Sequence, residues 1–255
     1  MLQRAKQYRF LFEELVKRDF KKKYKGTVLG MAWSVLSPLL TLLVMRVVFG
    51  QFFGGSMEHY TIYLFCGNLI FSYFNEANTQ GMTSLRDNAE IFTKINIPKI
   101  MFLLAKNAQT LINFGLTLVV FFLFCILDGI TFTWKFLLLL YPIMCLLIFN
   151  VGVGLILSAL YLFFRDMQYL WTVFVQLLMY MSAIFYTTDS FSPWLQAVLH
   201  LNPVYLFITY FRQIVLHGVI PAAWFHLLIL VFTAATAAVG GWMYKKYNHQ
   251  FLYYV

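Results

Sequence analysis

Two groups of charged and amide side chains lie within otherwise apolar stretches of this sequence. The first group is Asn75, Glu76, Asn78 and Gln80, and the second is Lys106, Asn107, Gln109 and Asn113. A charged group within a membrane-spanning helix is usually paired or faces water. We therefore expect the two segments to meet each other or a water-filled path. A further charge, Arg46, can reach the membrane surface through its long side chain.

No set of residues has the spacing of a catalytic or metal site. The five histidines, at positions 59, 200, 217, 226 and 249, are scattered, and the ten acidic residues form no paired set. A P-loop (GxxxxGKS or GxxxxGKT), which would bind nucleotide phosphates, does not occur. The cysteines lie in apolar runs and are predicted to be packing residues: Cys66, Cys125 and Cys145. The sequence thus predicts no catalytic residue, metal or cofactor in this chain.

Aromatic residues are the second candidate for a functional role. The chain has 28 Phe, 16 Tyr and 6 Trp, and most of these rings are expected to face lipid or the membrane interface. The flat face of an aromatic ring can also stack on the C–H face of a sugar. We predict that four of them line a path for a glycan: Phe71, Phe74, Phe185 and Tyr186.

Composition indicates the class of protein that must position these residues. Hydrophobic residues make up 61% of the 255 residues and charged residues 11%, against roughly 45–50% and about 25% in soluble chains. These values exclude a soluble domain, a disordered chain and a disulfide scaffold. The net charge of +9 is concentrated in residues 1–25, so it predicts contact with anionic membrane lipid rather than with nucleic acid. The predicted fold class is an all-α polytopic membrane protein with a single domain, 1–255.

Six membrane-spanning helices are predicted from apolar runs of about 20 residues. They cover 31–50, 60–80, 98–127, 136–160, 167–187 and 221–244. With these spans, sixteen of the nineteen Lys and Arg residues fall on the side of the N-terminus, which the positive-inside rule makes cytoplasmic. Both termini and residues 81–97 are therefore predicted to be cytoplasmic.

Residues 1–30 are predicted to form a cytoplasmic amphipathic helix and its connection to the first span. Apolar residues recur at helical spacing: Tyr8, Leu11, Phe12, Leu15, Val16 and Phe20. On the other face, Glu13 with Lys17 and Glu14 with Arg18 are favourable i,i+4 pairs. Such a helix is expected to lie in the headgroup layer, and it also offers a docking face for another subunit.

A second cytoplasmic helix is predicted over 84–96. Its expected capping box is Ser84 with Asp87, its polar flank carries Glu90, and its apolar ridge is Ile91, Phe92 and Ile95. An apolar ridge with polar flanks fits a groove on a soluble partner. At the next inner turn, Arg165 and Asp166 are expected to cap the two adjoining helices.

Residues 188–220 are predicted to form two short helices on the outer side instead of a seventh span. Ser192-Pro193 and Asn202-Pro203 each offer an N-cap followed by proline at the first helical position, and Gly218 suits a helix end. Each apolar piece is shorter than a span, so re-entrant or interfacial helices are expected.

Three regions of the sequence resemble the motifs of a known family. The first is Arg18-Asp19-Phe20-Lys21, followed by Tyr24-Lys25-Gly26-Thr27-Val28-Leu29-Gly30, Trp33 and Pro38-Leu39. The second is Asn96-Ile97-Pro98-Lys99, and the third is Phe164-Arg165-Asp166 with Asn202-Pro203 and Phe211-Arg212. In order and spacing they resemble the type-2 ABC transporter permeases of the polysaccharide and polyol-phosphate export family. One departure is that 184–188 has no proline near its tyrosine, where the family often has one.

The resemblance implies the permease subunit of an ATP-driven exporter in a bacterial inner membrane. Its substrate would be a lipid-linked O-antigen, capsule or teichoic-acid-like polymer. A homodimer would form the channel, and two separate ABC ATPase subunits would bind ATP and Mg²⁺. The implied coupling elements are the helix 84–96, Arg165 and Asp166, and the implied motif beside the ATPase is Arg18, Asp19, Tyr24, Lys25, Gly30 and Trp33. The helices of 188–220, with Pro193, Asn202, Pro203 and Arg212, would be outer gate helices.

Two other functions remain open from the residues themselves. One is a type-2 ABC permease for a drug or a small lipid. A wide path lined by aromatic residues favours a glycan over these smaller substrates. The other is a membrane-embedded glycan transferase. That enzyme would need a base or a metal-binding acid cluster at the membrane surface, which the ten acidic residues do not provide.

Overall fold

The computed structural model describes residues 2–53, 58–95, 97–189 and 191–254, and within residues 2–7 and at Phe53 it describes the backbone. Ten α-helices are present in this part of the chain. They are α1 (Leu2–Tyr24), α2 (Trp33–Phe53), α3 (Tyr60–Asp87), α4 (Ala89–Lys94), α5 (Ile100–Leu127), α6 (Leu140–Phe163), α7 (Met167–Met181), α8 (Pro193–His200), α9 (Pro203–Val215) and α10 (Ala223–Tyr247). Short 3₁₀ turns cover Gly30–Ala32, Trp134–Leu139 and Gln250–Leu252. The all-α class predicted from composition is therefore confirmed.

Among the described residues, four helical segments are long and apolar enough to cross a membrane. They are Gly30–Phe52, Ile100–Leu127, Trp134–Phe163 and Ala223–Tyr247, and they match the first, third, fourth and sixth predicted spans. The other two predicted spans differ from this pattern. Helix α3 has 28 residues but a polar exposed face, and α7 has 15 residues, so its rise is only about 22 Å.

Helix α3 lies at the centre of the bundle. It packs against α2, α5, α6, α7 and α9, and its apolar side chains are almost all buried. The predicted packing role of the cysteines is consistent with this core, because Cys66 of α3 contributes to it together with Cys125 and Cys145. Because lipid tails are as apolar as leucine, close van der Waals packing stabilises this core.

Helices α6 and α10 cross in backbone contact. A Cβ atom on Gly152 would lie 2.6 Å from the backbone nitrogen of Ala237, and one on Gly240 would lie 2.6 Å from the carbonyl oxygen of Gly152. Small residues permit such close approach between membrane helices, where tight van der Waals packing is a main driving force.

Helix α1 packs on protein rather than on lipid alone. Leu15 is buried, and Leu11, Phe12 and Val16 pack beside it against the core that α5 shares. The two predicted ion pairs are wrong in detail. Arg9 bonds Glu13 and Lys17 bonds Glu14, each at 2.9 Å, because Arg18 turns away toward the bundle.

The helices define two ends of the molecule. The α1 end gathers α1, α4, the start of α5 and the ends of α6 and α10. The distal end gathers the starts of α3 and α10, the end of α5, and α8 and α9. A hydrogen bond between Nδ1 of His59 and Oδ2 of Asp128, at 2.6 Å, joins the start of α3 to the end of α5 at the distal end.

The predicted helix 84–96 is divided differently in the structure. Helix α3 continues to Asp87, and α4 covers only Ala89–Lys94. Ser84 is buried inside α3, and the Asp87 carboxylate accepts a hydrogen bond from Thr83, so the predicted capping box is wrong. The four-residue helical spacing continues through this sequence, and burial of Ser84 and Leu85 extends α3 past the expected start. Asn96 of the second motif lies outside the described residues.

The two short helices predicted within 188–220 are confirmed as α8 and α9. Pro193 and Pro203 occupy their first positions, and the side chain of Asn202 accepts hydrogen bonds from the backbone N–H groups of Val204 and Tyr205. Gly218 has a φ of +58°, which glycine adopts without strain. Their placement at a membrane surface stays a prediction.

Helix α7 ends earlier than the predicted span 167–187. It stops at Met181, and an irregular segment, 182–189, follows, with Ala183 at a φ of +48°. Helix α7 therefore ends before 184–188 although this segment lacks the proline that the family often has there.

Candidate functional site

The part of α3 that is not buried is polar, and apart from Thr61 it lies within residues 72–87. Every α3 side chain that is not buried is polar or charged: Thr61, Ser72, Asn75, Glu76, Thr79, Gln80, Thr83, Arg86 and Asp87. We call these nine residues the polar face of α3. Several are bonded to one another, as Thr79 is to Asn75 at 3.1 Å and Gln80 is to Glu76 at 3.0 Å.

The helices on either side expose mostly apolar side chains. Helix α2 exposes Leu40, Leu43, Val44, Val47 and Val48, and α7 exposes Leu170, Val173, Phe174 and Leu177, together with Gln168, Thr172 and Gln176. Lipid tails suit these apolar side chains, whereas polar groups in hydrocarbon carry a large desolvation penalty. The polar face of α3 is therefore suited to water or to a polar surface. This supports the expectation of a water-filled path drawn from Glu76 and its neighbours.

Glu76 and Asn113 connect the two polar groups that the sequence separates. Oε1 of Glu76 accepts hydrogen bonds from Lys23 at 2.5 Å and from Asn113 at 3.2 Å. Tyr24 donates to the Asn113 side chain at 2.9 Å. The predicted meeting of the second and third spans is thus present, and α1 supplies the balancing cation.

A cavity of about 390 Å³ opens beside this network, between α2, α3 and α5. We call it the inner cavity. It is lined by Lys23, Tyr24, Trp33, Ser34, Ser37, Pro38, Thr41, Asn68, Leu69, Ser72, Tyr73, Glu76, Asn113, Phe114 and Thr117. Three residues of the first motif, Tyr24, Trp33 and Pro38, are therefore wall residues of this cavity.

Arg18 and Asp19 join α1 to the end of α3 and to α5. Asp19 is 3% exposed and accepts from Arg18 at 2.7 Å, and Nζ of Lys106 lies 3.3 Å from its other oxygen. Arg18 also donates to the side chain of Asn88 at 2.7 Å. We call these contacts of Arg18, Asp19, Asn88 and Lys106 the Asp19 network. Because Asn88 immediately precedes α4, this network links the position of α4 to α1.

A wide, shallow groove on α1 is lined by cations. It is formed by Arg18, Phe20, Lys21, Lys22, Tyr24, Lys25, Gly30 and Met31. Lys25 and Gly30 of the first motif belong to this groove and not to the Asp19 network. The concentration of positive charge favours anionic lipid headgroups, as predicted for this segment.

The predicted ridge on 84–96 is divided between buried and exposed residues. Phe92 is buried against Phe102, Ile91 is half-buried, and Ile95 is 58% exposed. Glu90 is exposed on the same helix. Only part of the ridge is therefore free to contact another molecule.

Lys99 anchors the C-terminal segment beneath α4. Its ammonium group donates to the carbonyl oxygen of Asn248 and lies over the rings of Phe92 and Phe251. Burial lowers the pKa of this ammonium group. The second motif thus has a structural role in holding α4 against the end of α10.

Arg165 and Asp166 are exposed at the turn between α6 and α7. The predicted side-chain cap is wrong, because Asp166 precedes α7 with its carboxylate unbonded to the helix and its backbone carbonyl accepting from Tyr169 and Leu170. Both charges lie at the α1 end and remain available to another molecule.

Three of the four predicted path aromatics lie in the core of this chain. Phe71 and Phe74 are 6% and 3% exposed, and Phe74 packs on Phe149 and Trp171. Phe185 is buried in a stacked pair with Phe49. These three rings are corrected to packing residues, because α3 buries its apolar side. Tyr186 is half-buried, with its hydroxyl bonded to the carbonyl of Tyr180.

Arg212 clamps the irregular segment after α7. Its guanidinium group, 6% exposed, donates to the carbonyl oxygens of Ala183 at 2.8 Å, Ile184 at 3.0 Å and Tyr63 at 3.2 Å. The same group lies 3.4 Å from the centre of the Tyr63 ring. We call this arrangement the Arg212 clamp.

Two tyrosines of α3 complete the clamp. Tyr60 donates to the carbonyl of Phe185 at 2.9 Å, and Tyr63 donates to that of Tyr186 at 2.6 Å. Asn202 donates to Ser182 at 3.0 Å. The predicted gate residues Asn202 and Arg212 therefore meet through the 182–186 segment, whereas Pro193 and Pro203 act at the starts of their own helices.

Sequence reasoning missed Asn68 and Tyr63. Asn68 could have been identified from the sequence, because an amide in the middle of an apolar run needs a hydrogen-bonding partner. Tyr63 could not, since its partners are backbone groups of distant residues. In the parts of the chain that the structure describes, no three His, Cys, Asp or Glu residues are grouped as metal ligands.

Comparison with known proteins identifies the family. Residues 11–216 match the family model described as ABC-2 type transporter. Similar curated proteins include an O-antigen export system permease protein, RfbA, of Klebsiella pneumoniae, 28% identical over 95% of both chains. They also include RfbA of Myxococcus xanthus, 27% identical over 85% of this chain and 84% of its own length. The polysialic acid transport protein KpsM of Escherichia coli is 22% identical over 91% of this chain and 92% of its own length. Because the family model covers most of the chain and its helices are those of a membrane protein, the chain belongs to the ABC-2 type transporter family.

Proposed function

We propose that the chain is the permease subunit of an ATP-driven exporter of a lipid-linked polysaccharide. The relatives named for O-antigen export and polysialic acid transport support this substrate class. The observation that carries the proposal is the polar face of α3 in an otherwise apolar bundle. A hydrophilic polymer needs such a surface, because hydrocarbon offers it no hydrogen-bonding partners.

In the proposed assembly, two copies of the chain enclose the polar face of α3 between them. Helices α2 and α7 flank this face with mostly apolar side chains, which suits a second copy or lipid. The distal end faces outward, and the α1 end is cytoplasmic in a bacterial inner membrane, in accord with the positive charge of residues 1–25.

Two ABC ATPase subunits, which bind ATP and Mg²⁺, complete the proposed exporter. Their docking surface is the α1 end, where α4, Ile95, Arg165 and Asp166 are accessible. The Asp19 network would carry movement of α4 into α1 and α5, because Asn88 and Lys106 both connect to it.

Deletion of the gene tests the proposal. We expect the lipid-linked polymer to accumulate in the cytoplasm and to disappear from the cell surface, and the wild-type gene to restore export. Surface polymer of normal amount and length in the deletion strain would contradict the proposal. A shift in drug sensitivity alone would indicate a permease for a small molecule.

A double variant tests the role of the polar face. Ser72→Leu with Asn75→Leu replaces two polar residues of this face by residues suited to lipid, and should stop export while the permease still assembles with its ATPase. The matched control is Val47→Leu on the exposed face of α2. Full export by an assembled double variant would show that the polymer moves elsewhere.

A further inference from the structure

The inner cavity holds an unpartnered donor. Asn68 is 4% exposed and lines the cavity, its carbonyl oxygen accepts from Ser72, and its amide nitrogen has no hydrogen-bonding partner among the described residues. A buried amide without a partner carries a penalty of about 1–3 kcal/mol. The arrangement is stable when a ligand or water accepts this hydrogen bond.

An acceptor lies on the same wall. The hydrogen bonds described for Glu76 all end on Oε1, which receives Lys23, Gln80 and Asn113. Oε2 is therefore available, and the side chain is 32% exposed at the mouth of the cavity. Asn68 and Glu76 thus offer one donor and one acceptor to a common ligand.

The cavity walls combine aromatic rings with hydroxyl and amide groups. Trp33, Tyr24, Tyr73 and Phe114 supply the rings, and the Tyr73 and Phe114 rings stack at 4.5 Å. Ser34, Ser37, Thr41, Ser72 and Thr117 supply the hydroxyl groups. Its volume lies within the usual range for small-ligand sites, about 300–1,000 Å³.

Pro38 keeps one wall of the cavity irregular. Proline has no N–H to donate to the carbonyl of Ser34, four residues earlier. The hydroxyl of Thr117 donates to the Asn113 carbonyl at 3.0 Å and lies 3.4 Å from the Ser34 carbonyl. The Ser34 carbonyl thus lacks its usual backbone donor, which leaves this wall of the cavity polar.

We propose that the inner cavity binds one neutral sugar ring of the transported glycan. The aromatic walls suit the C–H face of the ring, and Asn68 and Glu76 suit its hydroxyl groups. The inference rests on the proposed function and names a contact point for that substrate beside Ser72 and Glu76 of the polar face of α3.

The charges of the cavity argue against a phosphate group as its ligand. Its cation, Lys23, is already paired with its carboxylate, Glu76, at 2.5 Å. A phosphate would meet a like charge with no free cation among the lining residues to balance it. The cationic groove on α1, lined by Lys21, Lys22 and Lys25, offers that balance elsewhere.

Photo-crosslinking in cells that make the native glycan tests this site. A photo-reactive amino acid in place of Ser72, at the exposed mouth, should give a permease adduct that stains for carbohydrate. The matched control is the same amino acid in place of Leu43, which is 59% exposed on the apolar side of α2. It should give lipid adducts without carbohydrate.

Two further substitutions test which groups hold the ring. Asn68→Ala should lower the carbohydrate adduct at position 72 about two- to tenfold, the range expected for one neutral hydrogen bond. Thr41→Val, at the exposed mouth, should lower it less and is a safeguard if Asn68→Ala does not fold. Both yields are compared at equal amounts of assembled permease.

Three results would overturn the inference. They are a phospholipid adduct without carbohydrate at position 72, equal carbohydrate labelling at position 43, and an adduct yield unchanged in both variants. The deletion strain keeps this test separate from the proposed function. Loss of export on deletion without a carbohydrate adduct at position 72 contradicts only the sugar site, whereas normal export on deletion contradicts the function itself.

Discussion

The two ends of the molecule are held by different kinds of polar contact. In the Asp19 network of the α1 end, side chains bond side chains, as Arg18 and Lys106 do around Asp19. In the Arg212 clamp of the distal end, a side chain bonds backbone carbonyls. The Arg18 side chain is 42% exposed, so water competes for its hydrogen bonds, whereas a buried guanidinium group with backbone partners fixes the path of the chain. The α1 end is therefore suited to move, and the distal end to hold one geometry.

The largest effect should come from removing the Arg212 clamp. Arg212→Ala leaves the carbonyls of Ala183, Ile184 and Tyr63 without their donor, which should destabilise the protein by about 3 kcal/mol or more. Arg212→Lys should recover only part of this loss, because an ammonium group lacks the planar fork of donors. The measurement is the thermal unfolding midpoint of the purified permease in one detergent. Arg165→Ala, at an exposed arginine, should change it little.

Gly67 offers a smaller and sharper test of the same end. A Cβ atom there would lie 3.0 Å from both the Arg212 guanidinium group and the Ile184 side chain. Gly67→Ala should therefore cost about 1–3 kcal/mol. Gly115→Ala is the matched control, because its Cβ meets nothing within 4 Å and alanine should stabilise that helix by about 0.5–1 kcal/mol. Equal unfolding midpoints for the two variants would show that close packing of Gly67 against the Arg212 clamp does not contribute to stability.

The Asp19 network should show an intermediate effect on stability and a larger one on coupling. Asp19→Ala leaves Lys106, 13% exposed, without its partner, and should lower stability by about 1–3 kcal/mol. We expect the variant to hydrolyse ATP with less export, since α4 loses its link to α1 and α5. Glu14→Ala, an exposed pair member, should change neither measurement. Equal coupling in both variants would show that the α1 end does not transmit movement through Asp19.

The smallest effect on stability should come from Ile95. Ile95→Asp alters a side chain that is 58% exposed, so stability should change by about 0.5 kcal/mol or less. Export and co-purification of the ATPase should nevertheless fall if Ile95 docks in the partner. Ile91→Asp is the contrasting variant, because Ile91 is half-buried and its loss would combine docking with unfolding. Normal export by Ile95→Asp would exclude this position from the docking surface.

Neighbouring residues were sufficient to predict where a helix begins when an N-cap residue is followed directly by proline. Asn202-Pro203 predicted the start of α9, and Ser192-Pro193 that of α8, because cap and proline act on adjacent residues. The same reasoning failed at Ser84. A four-residue spacing is also the spacing of a continuing helix, and burial of Leu85 continued α3.

Contacts between distant residues could not be predicted from the pattern. The apolar period of α3 is the same whether lipid or protein lies outside it, since lipid tails are as apolar as leucine. Phe71 and Phe74 were therefore assigned to a path although they pack in the core. The partners of Arg212 are backbone carbonyl groups, which every residue has, so the side-chain types do not identify them. Glu76 was the exception, because an ionisable group in an apolar run requires a partner.

The length of α7 has a consequence for the surrounding bilayer. Its 15 residues rise about 22 Å, whereas the hydrocarbon layer is about 30 Å thick. As the fifth crossing of the proposed topology, α7 requires local thinning of the bilayer or irregular backbone at hydrocarbon depth. The 182–186 segment meets the second condition, because Arg212, Tyr60 and Tyr63 satisfy its carbonyl groups. Because α7 is shorter than the hydrocarbon layer, the bilayer beside it would be thinner. A lipid headgroup that passes between the two leaflets there would cross a shorter apolar distance.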